Sequence, residues 1–469
     1  MEESKSTAQD TKKEIYKYAM YGVFLRFAAI PASFMNLNYT DNLMIDVATV
    51  GSILLFARIV DFIFSFFVGP IMESASFKNG KYIPWVQISR PMLYVGLLIS
   101  FLPFKLSTGM MSIVIVVGYL LTQIASGLMT TVQYGALGLI GAADMDKRNQ
   151  MNIVSVRLGT VIGVVTSYTT SYVRNFLASI FGQQYQYFVV AIIYGAAYLA
   201  TTGLMVSLLK PYDGVSAAGG PSRPRVKISI GDMVKAIFTN SQLLVNFISG
   251  FMFFTGAFAP MQIVMYYYVY IRNDPQLTLY ATAQTATMLF SLATTVVGPA
   301  IGLKLGRLKA MLYGQLLTAI SGLLMILFGS ISIYAFIGIN MFTGLATSLY
   351  SGFGFSYIID CGEYGYWKSG VDNRVVVNSL GSIPMKIAQL IAGTVALYGM
   401  SMIGFTAGME VTDSFTKNFM VLYGGIPLVC NSIAFICNLL FYKIDDKEAE
   451  LYARENRERE AAAAAALES

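Results

Sequence analysis

Predominantly apolar runs of about 20 residues, the length a helix needs to cross the ~30 Å hydrocarbon core of a bilayer, recur along the whole of this 469-residue chain. They fall at 18–40, 47–72, 82–104, 110–142, 150–177, 186–209, 240–271, 278–303, 309–329, 331–359, 376–404 and 417–442. In lipid such a run has one practical solution, the helix, which satisfies every backbone N–H and C=O internally. The expected fold is an all-α membrane protein of twelve transmembrane helices. Only 12% of residues are charged against 55% hydrophobic, about half the charge of a soluble chain, so no polar coat is left for a globular surface.

The longest internal polar stretch, KPYDGVSAAGGPSRPRVKISIGD from Lys210 to Asp232, is rich in Gly, Pro, Ser and basic residues and reads as a linker. It divides the chain into an amino-terminal bundle of six helices (1–209), a central cytoplasmic loop (210–235) and a carboxy-terminal bundle of six (236–443). A cytoplasmic tail follows (444–469), whose last residues, AAAAAALES, read as an appended, non-native sequence. Two sets of six suggest an internal repeat, although no residue-level identity shows it. Orientation follows from the basic residues, which concentrate in cytoplasmic loops. Placing both termini inside leaves only Lys105, Arg174, Arg272 and Lys417 of the 32 Lys and Arg in outer loops. The expected location is the plasma membrane, multi-pass, with lipid as the surroundings.

The same composition excludes several functions. There is no histidine, which removes the commonest general base, metal ligand and pH switch together. The cysteines, Cys361, Cys430 and Cys437, have neither metal-type nor disulfide-framework spacing. No HExxH-like pair or clustered nucleophile and base is present, so the chain is not read as an enzyme. No metal or cofactor is expected, and the net charge of +6 needs no nucleic acid to explain it. A monomer is compatible with the sequence, which does not set the oligomeric state.

Charge inside the spans is what remains to be explained. Arg26, Arg58, Arg90, Arg157 and Lys386 lie within apolar runs, against one clearly intramembrane acid, Asp61, with Asp360 at the inner edge of the tenth span. Ionisable groups at bilayer depth are costly and mark substrate or ion pathways, and one acid cannot neutralise five bases. Arg90 lies near enough to the inner face to snorkel. Arg58 and Asp61, three apart on one helix face, have a second reading as a structural ion pair. Pro31, Pro91, Pro260, Pro299, Pro384 and Pro427 are expected to interrupt spans and allow bends.

Several segments together resemble the glycoside–pentoside–hexuronide cation symporters of the major facilitator superfamily. Ala57-Arg58-Ile59-Val60-Asp61 followed by Gly80-Lys81-Tyr82-Ile83-Pro84-Trp85 is similar to that family's second helix and inner turn. Tyr134-Gly135-Ala136-Leu137 with Asp144 and Arg148 resembles its fourth helix. Asp360-Cys361-Gly362-Glu363-Tyr364, then Asn378-Ser379, Lys386 and Gly393, resembles its tenth-to-eleventh-helix segment, and Tyr266 to Tyr270 fits its seventh. The resemblance implies two six-helix bundles, alternating access and symport of a glycoside with sodium or protons. It further implies paired cation-site carboxylates one turn apart on the second helix. Here the first is Asp61 and the second position holds Ser65.

Two departures set the expected function. One carboxylate with a hydroxyl serves a sodium ion poorly, whereas a desolvated carboxylate can hold a proton, so proton coupling through Asp61, with Ser65 and Arg58 beside it, or no tight coupling, is favoured over sodium. The aspartates that hold neutral galactosides in melibiose-type members are absent, and Phe24-Leu25-Arg26 and Thr130-Thr131-Val132-Gln133 stand there instead. Guanidinium binds carboxylate oxygens bidentately. An anionic glycoside such as a glucuronide or other hexuronide is therefore the expected substrate, with Arg26, Thr131, Gln133, Tyr134, Arg157, Lys386 and Gln389 as candidate binding residues. Arg26 has the alternative of pairing with Asp61 or a backbone carbonyl and never meeting substrate. Asp144, Arg148, Asp360 and Glu363 are expected to form inner-side gating salt bridges. The alternatives are sodium-coupled symport of a neutral oligosaccharide, and export or facilitated passage of a non-sugar organic anion.

Overall fold

The computed structural model describes residues 2–75, 77, 80–104, 106–141, 145–213 and 230–468, with some side chains inside the helices, that of Arg26 among them, outside the described set. Among the described residues there is no strand; the chain is helical throughout. Helices α1 (Glu2–Ala32), α2 (Val47–Ser74), α3 (Ile83–Ser100), α4 (Thr108–Gly141), α5 (Met145–Phe181) and α6 (Gln186–Asp213) make up the first part of the chain. After a short helix at Ile230–Thr239 come α7 (Ser241–Tyr266), α8 (Thr278–Leu305), α9 (Arg307–Phe328), α10 (Ile333–Ser351), α11 (Gly354–Ser369), α12 (Arg374–Leu380), α13 (Ile383–Met402), α14 (Asp413–Phe441) and α15 (Asp446–Glu468).

Among these residues, ten helical stretches are long and apolar enough to cross a membrane. The runs expected at 18–40 and 82–104 are helical too, but more polar. Charge-rich sequence precedes the first within α1, and α3 carries Gln87, Ser89 and Arg90 beside two prolines. The tenth span breaks at Gly352-Phe353 and the eleventh at Gly381-Ser382, each dividing into two helices. Pro384 accordingly opens α13 at its first turn instead of interrupting a helix, a position where its missing N–H costs nothing.

By its contacts the chain forms two compact units. The first contains residues 1–223 with Met265–Met288 and Phe405–Glu410; the second contains 224–264, 289–404 and 411–469. The core of the first unit gathers Tyr18, Trp85, Met129 and Met205 from α1, α3, α4 and α6. That of the second joins Phe253, Met311, Tyr357 and Tyr452, the last from α15. Of the central segment 210–235, residues 210–213 complete α6 and 214–229 lie outside the described residues.

An internal repeat becomes visible in how turns are built. In the first unit the buried carboxylate of Asp213, the last residue of α6, accepts the backbone N–H groups of Lys81 (2.9 Å), Tyr82 (2.8 Å) and Ile83 (2.7 Å). These are donors at the start of α3 that have no acceptor within the helix. In the second unit Asp446, just beyond α14, accepts the Arg307 N–H (2.9 Å) at the start of α9. Each acceptor faces a glycine at positive φ, Gly80 at 106° and Gly306 at 89°. A Cβ at Gly80 would stand 2.4 Å from an Asp213 oxygen, and one at Gly306 3.0 Å from Asp446. Side-chain carboxylates at helix starts also oppose the positive end of the helix dipole.

The opposite turns match as well. A five-residue π turn, Asn38–Asn42, ends with Leu43 N–H donating to Asn38 O, Met44 at φ 56° and Ile45 N–H donating to Tyr39 O. The π turn Tyr267–Ile271 ends the same way, with Arg272 to Tyr267, Asn273 at φ 50° and Asp274 to Tyr268. A non-glycine residue held at positive φ is uncommon, so its recurrence in the same hydrogen-bonded frame marks equivalent positions.

Candidate functional site

Helix α2 is apolar from Val47 to Phe56 and then places Arg58, Asp61 and Ser65 on turns that are half-buried. The Asp46 side chain fixes its start by accepting the Thr49 N–H at 3.0 Å. Facing it on α4 is Tyr119, whose hydroxyl is hydrogen-bonded by Arg58 and lies in the field of both Arg58 and Asp61. Arg58, Asp61 and Tyr119 therefore form one polar cluster inside apolar surroundings. Ser65 does not supply a second charge, and its hydroxyl donates to the Phe62 carbonyl of its own helix at 2.8 Å. One carboxylate with one adjacent guanidinium leaves this cluster close to neutral.

The proposed substrate residues are less gathered. On α4 the Thr131 hydroxyl donates to Gly127 O (3.0 Å). Gln133 offers its backbone carbonyl to Tyr18 (3.3 Å), and Tyr134 is 71% exposed. Arg157 on α5 and Lys386 and Gln389 on α13 are exposed. Arg157 and Lys386 make no ion pair among the described residues. The Arg26 position lies in α1, but its side chain falls outside the described set.

Asp360 and Glu363, expected from sequence to gate, lie one turn apart on α11 and are both engaged within the second unit. Asp360 pairs with Arg307 at 2.7 Å, and Arg307 also pairs with Asp446 at 2.5 Å. Glu363 pairs with Arg374 at 3.2 Å, and Arg374 also binds Asp372 (2.7 Å) and Glu460. Helix α15 completes the network, for Asn456 donates to the Glu363 carboxylate (2.7 Å) and backbone oxygen (2.9 Å). Trp367 donates to Glu455 (2.6 Å) and packs at a tilt against Tyr452 with centroids 4.7 Å apart. Of the other gating pair, Asp144 lies outside the described residues, and Arg148 is half-buried.

Sequence reasoning missed the partners that make these sites. Arg307 and Arg374 entered it only as inner-loop charge, and Tyr119 not at all. Arg174, assigned to an outer loop, is 1% exposed inside α5, where it donates to Pro275 O at 2.9 Å.

A family model described as MFS/sugar transport protein matches residues 18–446. The chain belongs to that family. Its relatives include an isoprimeverose transporter of Lactiplantibacillus pentosus, 24% identical over 93% of this chain and 89% of the relative. A glucuronide carrier protein homolog of Escherichia coli (strain K12) is 23% identical over 93% of each. Solved structures agree in fold. A bacterial homolog of the human lysosomal transporter Spinster superposes with TM-score 0.65 at 11% identity, over 92% of this chain and 97% of that one. A mutant form of the nucleoside transporter NupG gives 0.64 at 14% identity, over 91% and 99%. The chain is thus a membrane transporter of the sugar or glycoside class, with the major facilitator fold and a small-molecule sugar substrate, and not an enzyme. The glycoside–pentoside–hexuronide resemblance carried by its second, fourth and tenth spans stands on the same relatives.

Proposed function

We propose that this protein is a proton-coupled symporter of an anionic glycoside, such as a glucuronide. On this reading it has twelve spans in the plasma membrane and both termini in the cytoplasm. The observation that carries the reading is the disposition of the intramembrane charges. Asp61 shares its cluster with Arg58, while Arg157 and Lys386 stay exposed within their spans with no ion pair among the described residues. A cation at bilayer depth needs a counter-charge or water, and a carboxylate-bearing substrate supplies the former. The glucuronide carrier homolog, similar over nearly the whole chain, supports the same substrate class. Asp61 takes the coupling proton because Ser65 contributes no second charge to compensate a sodium ion.

A second reading, symport of an uncharged glycoside, is favoured by the isoprimeverose transporter among the relatives, since isoprimeverose carries no carboxylate. In that case Arg157 and Lys386 face water. Uptake into proteoliposomes separates the two. A glucuronide and the matching neutral glucoside are offered under an imposed proton gradient and then under a sodium gradient. Proton-driven accumulation of the glucuronide alone is expected; accumulation of only the neutral sugar, or only under sodium, overturns the proposal.

A further inference from the structure

Asp41 lies one residue beyond the first apolar run, in the π turn after α1, and among the described residues the hydrogen-bond partners of its carboxylate are neutral hydroxyls. Thr40 Oγ1 stands 2.8 Å from Oδ1 and Tyr270 Oη donates to Oδ2 at 3.0 Å. The Tyr270 oxygen in turn accepts the Gly408 N–H at 3.1 Å. Thr40 Oγ1 also lies 2.9 Å from the buried Tyr266 hydroxyl and 3.1 Å from the Asn36 carbonyl. Phe405 packs edge-on against Tyr266 and Tyr270, with centroids 5.1 and 5.0 Å away. Among the described residues no cation pairs with Asp41. Arg174 of α5 donates to the hydroxyl of Tyr187 of α6 at 3.4 Å. Tyr187 is the further titratable group that senses Asp41.

This cage can satisfy the carboxyl in either protonation state. When Asp41 is ionised, Thr40 and Tyr270 both donate to it, and Tyr266 donates to Thr40. When Oδ1 carries a proton, that proton is donated to Thr40, whose own hydrogen swings to Asn36 O, while Tyr266 still donates to Thr40. No buried polar atom is stranded by the change, which is the condition for a buried group to titrate without breaking its surroundings. The cage is assembled from the 38–42 turn and from Met265–Met288 and Phe405–Glu410, segments that join the first unit by their contacts although they lie far along the chain.

We propose that Asp41 is a proton-binding site, and that the bound proton holds Met265–Met288 and Phe405–Glu410 against the turn after α1. This goes beyond the transport reading and does not depend on the substrate or on Asp61. The direction follows from burial, which lifts the Asp41 carboxyl from 3.8 to about 6, with the Thr40 and Tyr270 bonds opposing it. Once released and hydrated, the group returns to the ordinary carboxylate range. The caged arrangement therefore binds protons more tightly, and protons stabilise it. That stabilisation is complete below about pH 4 and is lost as pH rises through about 6. A difference of about two units amounts to a shift of roughly 100-fold in the equilibrium between caged and released forms.

Hydrogen exchange on the full chain in lipid nanodiscs, from pH 4 to pH 8, tests this. The protein is compared at each pH with its Asp41→Asn variant, so that the intrinsic pH dependence of exchange cancels. In segments 36–46 and 266–280 the two should exchange nearly alike at pH 4. The parent should then become at least ~10-fold less protected as pH rises to about 6, and change little above that. Tyr270→Phe, which removes a donor to the ionised form, should move the pH of this levelling-off upward. Exchange at Arg307 to Ala310, in the second unit, serves as the folding control. A ratio that stays flat across the range, or a levelling-off that Tyr270→Phe leaves in place, overturns the proposal.

Discussion

Replacing Asp213 by Ala tests the logic of the paired helix starts most directly. The substitution strips three N–H donors, those of Lys81, Tyr82 and Ile83, of an acceptor at 2.7–2.9 Å. A hydrogen bond to a charged group contributes about 1.5–3 kcal/mol net, and a buried donor left without a partner costs about 1–3 kcal/mol. The three bonds share one carboxylate and are not additive, and some water will enter. About 3–5 kcal/mol of stability should therefore be lost. Asp446→Ala in the second unit should cost far less, about 1 kcal/mol, because that side chain is 47% exposed and solvent screens it. The chain has only two tryptophans, and they report on the two places separately. Trp85 lies in the first turn of α3, and Trp367 packs on Tyr452 of α15. Denaturant unfolding followed at Trp85 in a Trp367→Phe background, and at Trp367 in a Trp85→Phe background, gives the comparison. Asp213→Asn is the control of shape, since its amide hydrogens would face the N–H donors. A loss under 1 kcal/mol for Asp213→Ala, or equal losses for the two aspartates, would show that the carboxylate does not set the start of α3.

Other perturbations address the transport chemistry. Asp61→Asn should abolish gradient-driven accumulation while leaving substrate exchange partly intact; full accumulation would remove Asp61 from coupling. Arg157→Ala and Lys386→Ala should each weaken uptake of an anionic glycoside at least ~10-fold while changing a neutral one little, about 1.4 kcal/mol of differential binding, and equal losses for both would return these cations to a structural role. Acidification should loosen the turn between α11 and α12, which follows Trp367 closely. The Arg374 hydrogen bond holds the Asp372 carboxyl below its ordinary value, so that contribution is present above pH ~3.8 and lost as pH falls below it. Trp367 emission should then shift only on acidification below about pH 4, and a shift already complete at pH 6 would contradict this assignment.

The sequence was legible where a property is local. An apolar run declares its helix without reference to any other residue, and membership of a transporter family followed from motifs spread over several such runs. What stayed hidden depends on distance along the chain. Asp213 looked like part of the polar linker, but it binds residues about 130 positions earlier. Tyr270 lies 229 positions from Asp41, so although Thr40 is adjacent, nothing in the pattern around Asp41 hinted at its tyrosine partner. Arg307 and Arg374 counted as inside charge for orientation, although each is bound by two or more carboxylates. The breaks at Gly352-Phe353 and Gly381-Ser382 were invisible for a different reason: both lie inside runs apolar enough overall to read as single spans, where glycine alone is a weak signal.

The repeat sharpens the meaning of the single carboxylate on α2. Helices α2 and α8 are both 28 residues long and each follows a π turn, so they can be set side by side from their first residues. Arg58, Asp61 and Ser65 then correspond to Leu289, Leu292 and Val296, all apolar and exposed. The capping aspartates and positive-φ positions recur in both repeats, whereas the charged cluster occurs in one. Geometry that both repeats need is preserved in kind even where the residues differ. Chemistry that needs a desolvated charge is confined to one helix, because a second copy would double the cost of keeping ions at bilayer depth. On the function proposed above, with Asp61 as the one coupling carboxylate of α2, a ratio of one proton per substrate is the expected stoichiometry. A ratio of two, measured from the reversal potential of uptake in proteoliposomes, would require a second carboxylate on the path, and Asp41 is the described candidate outside that cluster.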